Sequence, residues 1–342
     1  PSESHKRSQK GVSVSRIIPL ITLMLLALAL ASAVSANESE DDIATKQPPG
    51  DPSQEQRTPP TEDGGTTQTQ EPPAEETVQP LALLGKSVQP GTFDTLHWAP
   101  DQSFRSIATP VPVLVAHGNE PGPRLCLTAA VHGDELNGIE MVRRLMYELE
   151  PDGLAGTVIG VPIVNLDGFR NGSRYLSDRR DLNRYFPGHK NGSAASRIAY
   201  SLFNDIVRQC DYLVDLHTGS QKRINQPQLR ADLDKSDVVA FAKHFGGMTV
   251  LHSPPGEGML RAAAVNEGVV AVTMEAGGPN RLEEEAVDYG VQALETLLEN
   301  LDMRKASRFW GAPQPVFFES EWIRASQGGI LLSEVELNDQ VK

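Results

Sequence analysis

A histidine and a glutamate three positions apart end the apolar run in LTAAVHGDELNG, residues 127–138, and two more apolar runs end on similar groups. The first pair is His132 and Glu135, while YLVDL leads into His217 and VVAVTM leads into Glu275. One polar residue after an apolar run is common and by itself means little. Three runs that each end on a histidine or a carboxylate indicate that these side chains share one site.

The four side chains are the set that a hydrolytic zinc site needs. Catalytic zinc takes three protein ligands, two histidines and a glutamate being an established combination, and keeps a fourth position for water. We therefore predict one Zn²⁺ ion bound by His132, Glu135 and His217. Zinc lowers the pKa of its water to about 7 and polarises a carbonyl. Glu275 would take the proton of that water and pass it to the leaving nitrogen. The alternative for His132 and Glu135 alone is a polar loop after a strand.

A fourth segment, GSRYLSDRRDLNRYFPG, carries four arginines around an asparagine. Such a run is most often a solvated charged loop. Arginine, however, presents a planar fork that binds a carboxylate through two hydrogen bonds. Beside a metal, Asn183 and Arg184 would bind a substrate carboxylate, and another arginine of the segment would stabilise the oxyanion formed on water attack.

Strands that alternate with amphipathic helices have to position these groups. Apolar residues recur at helical spacing in the stretches 139–149, 198–207 and 287–301, and each is predicted to be a helix. The alternation predicts an α/β fold with a mixed, mostly parallel sheet flanked by helices. Ligands of such sheets bind beyond the C-terminal ends of the strands, where the four groups fall. The predicted strands are VPVLVA, RLCLTAAV, TVIGVPIV, YLVDL, MTVLH and VVAVTME.

Residues 1–36 show the three parts of a secretory signal peptide. Basic residues precede the uncharged run IIPLITLMLLALALASA, and VSA offers a cleavage point before Asn37. The run is shorter than the roughly 20 residues of a membrane-spanning helix, and an uncleaved anchor is the alternative interpretation. Both predict an exported protein, periplasmic or secreted. Because the first residue is Pro, we expect the natural chain to start further upstream.

Residues 37–80 are predicted to be a disordered, acidic linker rich in Pro and Thr, because they hold no aromatic residue and little apolar surface. Their eleven acids against two bases account for most of the net charge of −14. No run concentrates Lys and Arg, which argues against a nucleic-acid partner. Cys126 and Cys210 are expected to be free buried thiols rather than one disulfide.

The motifs HGDELNG, RYLSDRRDLNR, DLHTG and MEAGG, in this order, resemble the succinylglutamate desuccinylase/aspartoacylase family of zinc carboxypeptidase-like hydrolases. The similarity runs from about Gly85 to the end of the chain. It implies an eight-stranded mixed α/β sheet and one zinc ion on the three ligands named above. It also implies Glu275 as the general acid/base and Asn183 with Arg184 as the carboxylate clamp.

The resemblance also bears on the remaining arginines. Arg174 best matches the oxyanion arginine, because an Arg-Tyr pair precedes the Asp-x-Asn-Arg motif in relatives. The spacing to that motif is shorter by about two residues in aspartoacylase-like relatives, so Arg179 or Arg180 is the alternative. Arg230, in QPQLRADL, is expected to face the substrate as well.

The resemblance further suggests two folded parts. Residues 81–305 are predicted to be the zinc hydrolase domain, and residues 306–342 the start of a small C-terminal β-domain that is truncated at Lys342. Within it, GGILLSEVELNDQVK looks like a lipoyl-domain-like strand pair, although no lipoyl-lysine motif is present.

These features predict an exported zinc-dependent deacylase that cleaves the amide bond of an N-acyl amino acid or similar carboxylate-bearing substrate. The expected partner is a small molecule or short peptide, and a membrane only if the signal segment stays uncleaved. One alternative is an exported zinc metallocarboxypeptidase acting on cell-wall peptides, which the export signal favours. Another is a non-catalytic zinc-containing binding protein, which would have no use for Glu275 as a proton carrier.

Overall fold

The computed structural model of the protein describes residues 77–100, 109–305, 313–330, 332–337 and 339. The predicted signal peptide and nearly all of the predicted linker lie outside these residues. Within the described ranges, none of the helices is both long and apolar enough to cross a membrane. The first described strand begins at Leu81.

A mixed sheet forms the centre of the described part of the chain. The strands there are β1 (Leu81–Leu83), β2 (Lys86–Val88), β3 (Thr92–Trp98), β4 (Val111–His117), β5 (Glu120–Ala129), β6 (Ala155–Val161), β7 (Tyr212–His217), β8 (Asn225–Ala231), β9 (Thr249–His252), β10 (Val270–Gly277) and β11 (Val316–Phe317). Nine of them form one sheet in the order β11-β9-β8-β10-β7-β5-β6-β4-β3, and β1 pairs with β2 in a separate hairpin. The pairings of β5, β7 and β10 at the centre are parallel, and β3, β4 and β8 introduce antiparallel pairs. The predicted mixed, mostly parallel sheet is confirmed.

Helices cover both faces of this sheet. Those in the described ranges are α1 (Asn137–Glu148), α2 (Leu166–Arg170), α3 (Ala194–Asp205), α4 (Ser236–Ala242), α5 (Leu260–Asn266) and α6 (Glu284–Asn300). The apolar stripes of α1, α4 and α6 pack into one core, and those of α3 and α5 pack with the β1–β2 hairpin into the core on the other face. The three helices predicted from apolar spacing are therefore confirmed as α1, α3 and α6.

The apolar pattern does not predict every strand. β8 reads NQPQLRA, and both its polar residues and its proline are unfavourable signals for a strand inside a sheet. The pairing of β8 with β10 shifts register between Glu275 and Gly277, and Pro227 lies at this irregularity. Proline is tolerated there because the regular ladder of hydrogen bonds is interrupted.

The C-terminal segment departs from the expected pattern. The short β11 pairs with β9 and brings the sheet to nine strands, one more than the resemblance implies. The expected strand pair after residue 328 does not form among the described residues of that stretch. None of the described strands pairs with this stretch, and its large apolar side chains are exposed.

The prediction of two free cysteines is wrong, because Cys126 and Cys210 form a disulfide. Cys126 lies in β5, and Cys210 lies just before β7, the neighbouring strand of the sheet. Their Cα atoms are 5.9 Å apart, which is a usual separation for a disulfide. The two cysteines are 84 residues apart in the sequence, and only the strand order makes them neighbours.

Removal of the disulfide is expected to destabilise the fold. The double variant Cys126→Ser/Cys210→Ser should lose about 2–5 kcal/mol of unfolding free energy, because its unfolded chain is no longer closed into a long loop. Urea denaturation of this variant and of the oxidised and reduced wild type measures the effect. The oxidised wild type should also resist alkylation, and an identical urea midpoint for all three samples would contradict the prediction.

Candidate metal centre

Three buried side chains converge at the C-terminal ends of two neighbouring strands. His132 and Glu135 lie in the loop after β5, and His217 is the last residue of β7. The Nδ1 atom of His132 lies 3.0 Å from Oε1 of Glu135 and 3.2 Å from Nδ1 of His217. The Nδ1 atom of His217 lies 2.8 Å from Oε2 of Glu135. One ligand atom from each residue lies within 4.8 Å of the others, so this cluster could hold a metal ion.

A carboxylate contacts Nε2 of each histidine, the ring nitrogen that faces away from the cluster. Asp181 Oδ1 lies 3.1 Å from Nε2 of His132, and Asp215 Oδ2 lies 2.8 Å from Nε2 of His217. Thr128 donates a hydrogen bond of 2.8 Å to the other oxygen of Asp215. Metal-binding histidines commonly have such a partner, which fixes the ring and leaves the opposite nitrogen for the metal. Two imidazole nitrogens and one carboxylate are a donor set that fits zinc.

Sequence reasoning missed both aspartates. Asp215 had a detectable signal, because residues two apart in a strand point to the same face, and Asp215 precedes His217 by two positions. Asp181 begins the Asp-x-Asn-Arg motif, but 49 residues separate it from His132. Only the folded loop brings that pair together.

Opposite charges set the protonation of this cluster. Burial would raise the pKa of Glu135, but His132 and His217 lower it well below its usual range. Burial lowers the pKa of both histidines, and neighbouring carboxylates outweigh it. Glu135 and Asp181 raise the pKa of His132, and Asp215 with Glu135 raises the pKa of His217 strongly. A metal ion would have to displace one proton from each charged imidazole, since only neutral imidazole is a ligand.

Close packing fixes the loop that carries the first two ligands. Ala130 has a φ of 48°, in the left-handed region that L-residues adopt mainly at constrained sites. Gly133 lies against the backbone of Gly168, where a Cβ atom would come within 2.0 Å of a carbonyl carbon. The Glu135 amide donates to the His132 carbonyl at 3.2 Å. The two ligands are therefore spaced by a tight turn that admits only glycine at its second position.

Glu275 lies beside the cluster on the next strand. β10 runs parallel to β7, and Glu275 is aligned with His217 in the register. Asn225 donates a hydrogen bond of 2.8 Å to Oε2 of Glu275, and Arg230 Nε lies 3.2 Å from Oε1. Burial raises the pKa of Glu275 even though Arg230 opposes it. A raised pKa suits a carboxylate that accepts and returns a proton near neutral pH.

A single cavity of about 200 Å³ joins these groups. The three cluster residues and Glu275 line it. The sequence-selected residues Arg174, Asn183, Arg184 and Arg230 line it too.

Arg174 is the arginine of its loop that reaches the cluster. Its Nη1 donates to Oε1 of Glu135 at 3.2 Å, and its Nη2 donates to Oδ2 of Asp181 at 3.0 Å. The alternatives, Arg179 and Arg180, are not among the residues that line the cavity, and Arg180 pairs with an acid near the surface. The position next to the cluster thus belongs to Arg174.

The clamp residues Asn183 and Arg184 line the same cavity. Asn183 accepts a hydrogen bond of 2.8 Å from the Leu260 amide, which ties the turn Leu182–Arg184 to the start of α5. Arg184 donates at 2.6 Å to the carbonyl of Asn183. No carboxylate forms an ion pair with Arg184 among the described residues, so its guanidinium can receive a substrate carboxylate.

Arg261 lines the same cavity and was not found from the sequence, because LRAAAVN looks like an ordinary packing helix. Its side chain is almost fully buried, and Nη1 donates to the Ser253 carbonyl at 2.7 Å. Its Nε is buried without a hydrogen-bond partner. No ion pair joins Arg261 to an acid in the described part of the chain. Burial lowers the pKa of Arg261 to about 10, although the nearby charge of Asp215 acts to raise it. A buried guanidinium of this kind is ready to bind an anion.

Comparison with known proteins identifies relatives of this chain. Residues 121–301 match the succinylglutamate desuccinylase/aspartoacylase catalytic domain. An N-alpha-acetyl-L-2,4-diaminobutyric acid deacetylase of Halomonas elongata is 26% identical over 246 residues, which cover 68% of this chain and 72% of the relative.

Solved structures show the same fold. The product-bound ectoine utilization protein EutE (DoeB) of Ruegeria pomeroyi is 24% identical, with a TM-score of 0.62 over 72% of this chain and 77% of that one. A succinylglutamate desuccinylase of Silicibacter sp. TM1040 is 24% identical, with a TM-score of 0.60 over 71% of this chain and 75% of that one. The matched residues 121–301 contain all four ligand and carboxylate positions and cover more than half of the sequence. The chain therefore belongs to the succinylglutamate desuccinylase/aspartoacylase family.

Proposed function

We propose that the protein is an exported zinc-dependent deacylase that hydrolyses the amide bond of an N-acyl amino acid or a similar carboxylate-bearing small molecule. The observation that carries the proposal is that the ligand cluster, Glu275 and guanidinium groups without acidic partners line one cavity. Membership of the family supports the reaction type, because relatives are deacylases.

The side chains around the cavity have complementary roles in this reaction. Zinc, when bound to the cluster, would polarise the scissile carbonyl and acidify a water molecule. Glu275 takes a proton from the attacking water on its carboxylate and then gives it to the leaving nitrogen. Asn225 and Arg230 hold the two carboxylate oxygens of Glu275 in place. Arg174, at the edge of the cluster, stabilises the negative charge that develops on the carbonyl oxygen.

The substrate carboxylate is assigned to Arg184, Asn183 and Arg261. A buried guanidinium without an acidic partner is costly, and a bound carboxylate would offset that cost at Arg261. The Halomonas relative is named as a deacetylase of an N-acetylated amino acid, and we assign this chain to the same substrate class. Export is also part of the proposal, and the Cys126–Cys210 disulfide supports it because disulfides persist in oxidising compartments.

A hydrolysis screen tests the proposed function. The zinc-loaded protein is incubated with N-acetyl, N-succinyl and N-benzoyl amino acids and with peptide ladders, and the products are identified by mass spectrometry. We expect a free acid and a free amino acid from at least one N-acyl amino acid, and none from metal-free protein. Stepwise loss of C-terminal residues from the peptides, with every N-acyl amino acid intact, would instead indicate a carboxypeptidase.

The variant Arg261→Met is expected to improve stability while it impairs substrate binding. Removing a buried charge without an acidic partner should raise the unfolding free energy by about 1–3 kcal/mol. Loss of the charge-assisted contact should raise KM about 10-fold or more. Urea denaturation and steady-state kinetics measure the two effects.

Arg208→Met is the matched control for Arg261→Met, because Arg208 is half-exposed and pairs with Glu267 at 3.0 Å. Its stability should change by less than about 1 kcal/mol. A destabilised Arg261→Met variant with an unchanged KM would contradict the assignment of Arg261.

A further inference from the structure

Residues 253–260, SPPGEGML, connect β9 to α5 and hold side chains that are assigned to the substrate carboxylate. The Ser253 carbonyl accepts the hydrogen bond from Nη1 of Arg261 at 2.7 Å. The Leu260 amide donates to Oδ1 of Asn183 at 2.8 Å. The segment therefore joins two carboxylate-binding groups that come from distant parts of the chain. We call residues 253–260 the strap.

One glycine of the strap lies directly against the turn that carries the clamp. Gly258 has a φ of 78°, in the left-handed region that favours glycine. A Cβ atom there would lie 2.4 Å from the carbonyl oxygen of Arg184, well inside van der Waals contact. The Gly258 carbonyl accepts a hydrogen bond of 2.9 Å from the Phe186 amide, just after the turn. The two backbones can meet because Gly258 has no side chain.

The strap has no bond to the groups that carry the chemistry. Ser253, Pro254 and Met259 line the cavity. Among the described residues, however, no hydrogen bond joins the strap to the metal cluster, to Glu275 or to Arg174. A change in the strap should therefore alter where the carboxylate binds and leave the metal ligands and the proton carrier in place.

We propose that the strap positions the carboxylate clamp and that Gly258 is the positioning residue on which this depends. The inference rests on the proposed function, which assigns the substrate carboxylate to Arg184, Asn183 and Arg261. A Cβ atom at Gly258 would force the strap and the turn Leu182–Arg184 apart by about 1 Å. Whichever of them moved, the hydrogen bonds between them would lengthen. A displacement of about 1 Å can cost about 10²-fold in the use of a substrate.

Gly258→Ala tests the proposal, and Gly268→Ala is its matched control. Gly268 follows α5 with a φ of 87°, so alanine is strained there too, but a Cβ atom would meet nothing within 4 Å. Affinities for N-acetylglycine and N-acetylglycinamide are measured by calorimetry on zinc-loaded protein that also carries Glu275→Gln, so that turnover does not interfere. The ratio of the two affinities reports on the carboxylate alone.

The acid should bind about 10-fold or more tightly than the amide in the parent protein and in Gly268→Ala. In Gly258→Ala the ratio should fall to about 3 or less, because the clamp groups no longer meet the carboxylate together. Metal content and affinity for the amide should stay unchanged in both variants, which a general loss of structure would not allow. Without the Glu275→Gln substitution, Gly258→Ala should raise KM and keep kcat.

Pro255→Gly provides a second test that does not depend on whether Gly258→Ala folds. Glycine at this position loosens the strap without introducing a clash, because it widens the range of backbone conformations. The ratio of the affinities should therefore fall about 3-fold, less than in Gly258→Ala. Urea denaturation of each variant shows whether the protein is folded under the conditions of the calorimetry.

An unchanged ratio in folded Gly258→Ala, or in Pro255→Gly where Gly258→Ala does not fold, would overturn the role of the strap. Equal falls in Gly258→Ala and Gly268→Ala, or equal affinity of acid and amide in the parent protein, would do the same. The proposed function fails separately, since the affinities do not depend on turnover. Hydrolysis by the wild type with an unchanged ratio removes the role of the strap alone. The expected ratios without hydrolysis of any N-acyl amino acid remove the proposed function alone.

Discussion

Glu275→Gln is expected to lower kcat by about 10²–10⁴-fold while the protein keeps its metal and its affinity for substrate. Glutamine has the same shape, and its amide oxygen can still accept the hydrogen bond from Asn225. It cannot take up a proton from water, however, so the proton transfer to the leaving nitrogen is lost. The expected change therefore lies in kcat and not in KM. Steady-state kinetics and metal analysis of the purified variant measure both quantities.

Glu267→Gln is the matched control for this substitution, because Glu267 is a surface glutamate that pairs with Arg208. It should keep wild-type kcat and metal content. If Glu275→Gln turned over substrate at the wild-type rate, another group would have to carry the proton. If it lost its metal, the fall in kcat would not report on proton transfer.

The sequence is informative about the site because the chemistry lies where apolar strands end. His217 and Glu275 end predicted strands, and His132 follows a third with Glu135 after it. Parallel pairing of β5, β7 and β10 then brings the strand ends to one edge of the sheet. The helices were predictable for a related reason, since α1, α3 and α6 bury long apolar stripes. Local pattern and tertiary burial agree at all these positions.

The features that the sequence could not reveal depend on contacts between distant residues. Asp181 approaches His132 only because the loop before α3 folds back over the cluster. Asn225 reaches Glu275 because polar β8 pairs with β10. The disulfide can form because β5 and β7 are neighbouring strands of the sheet. None of these pairs has a periodic spacing, so no local pattern encodes them.

His217→Ala is expected to abolish metal binding at stoichiometric concentration. The substitution removes one of the three protein ligands and opens the face of the cluster that β7 supplies. We expect metal affinity to fall at least about 10³-fold, beyond the 10–100-fold loss that is typical when a supporting partner of a ligand is removed. Metal content after dialysis and competition with a chromogenic chelator measure this affinity without any activity assay. Wild-type metal content in the variant would exclude His217 as a ligand.

Asp215→Asn tests the contribution of the carboxylate that supports His217, with the ligand itself left in place. The asparagine can still accept the hydrogen bond from Nε2 of His217, but it no longer supplies the negative charge that strengthens the imidazole as a ligand. Metal affinity should therefore fall by about 10–100-fold, less than in His217→Ala. Asp205→Asn is the control, since Asp205 accepts a hydrogen bond from Ser201 on α3 and does not contact the cluster. Equal losses in Asp215→Asn and Asp205→Asn would show that the effect is one of general stability. We therefore expect the loss of metal affinity to decrease in the order His217→Ala, Asp215→Asn, Asp205→Asn. This order is the one expected if Nδ1 of His217 binds the metal and Asp215 holds Nε2.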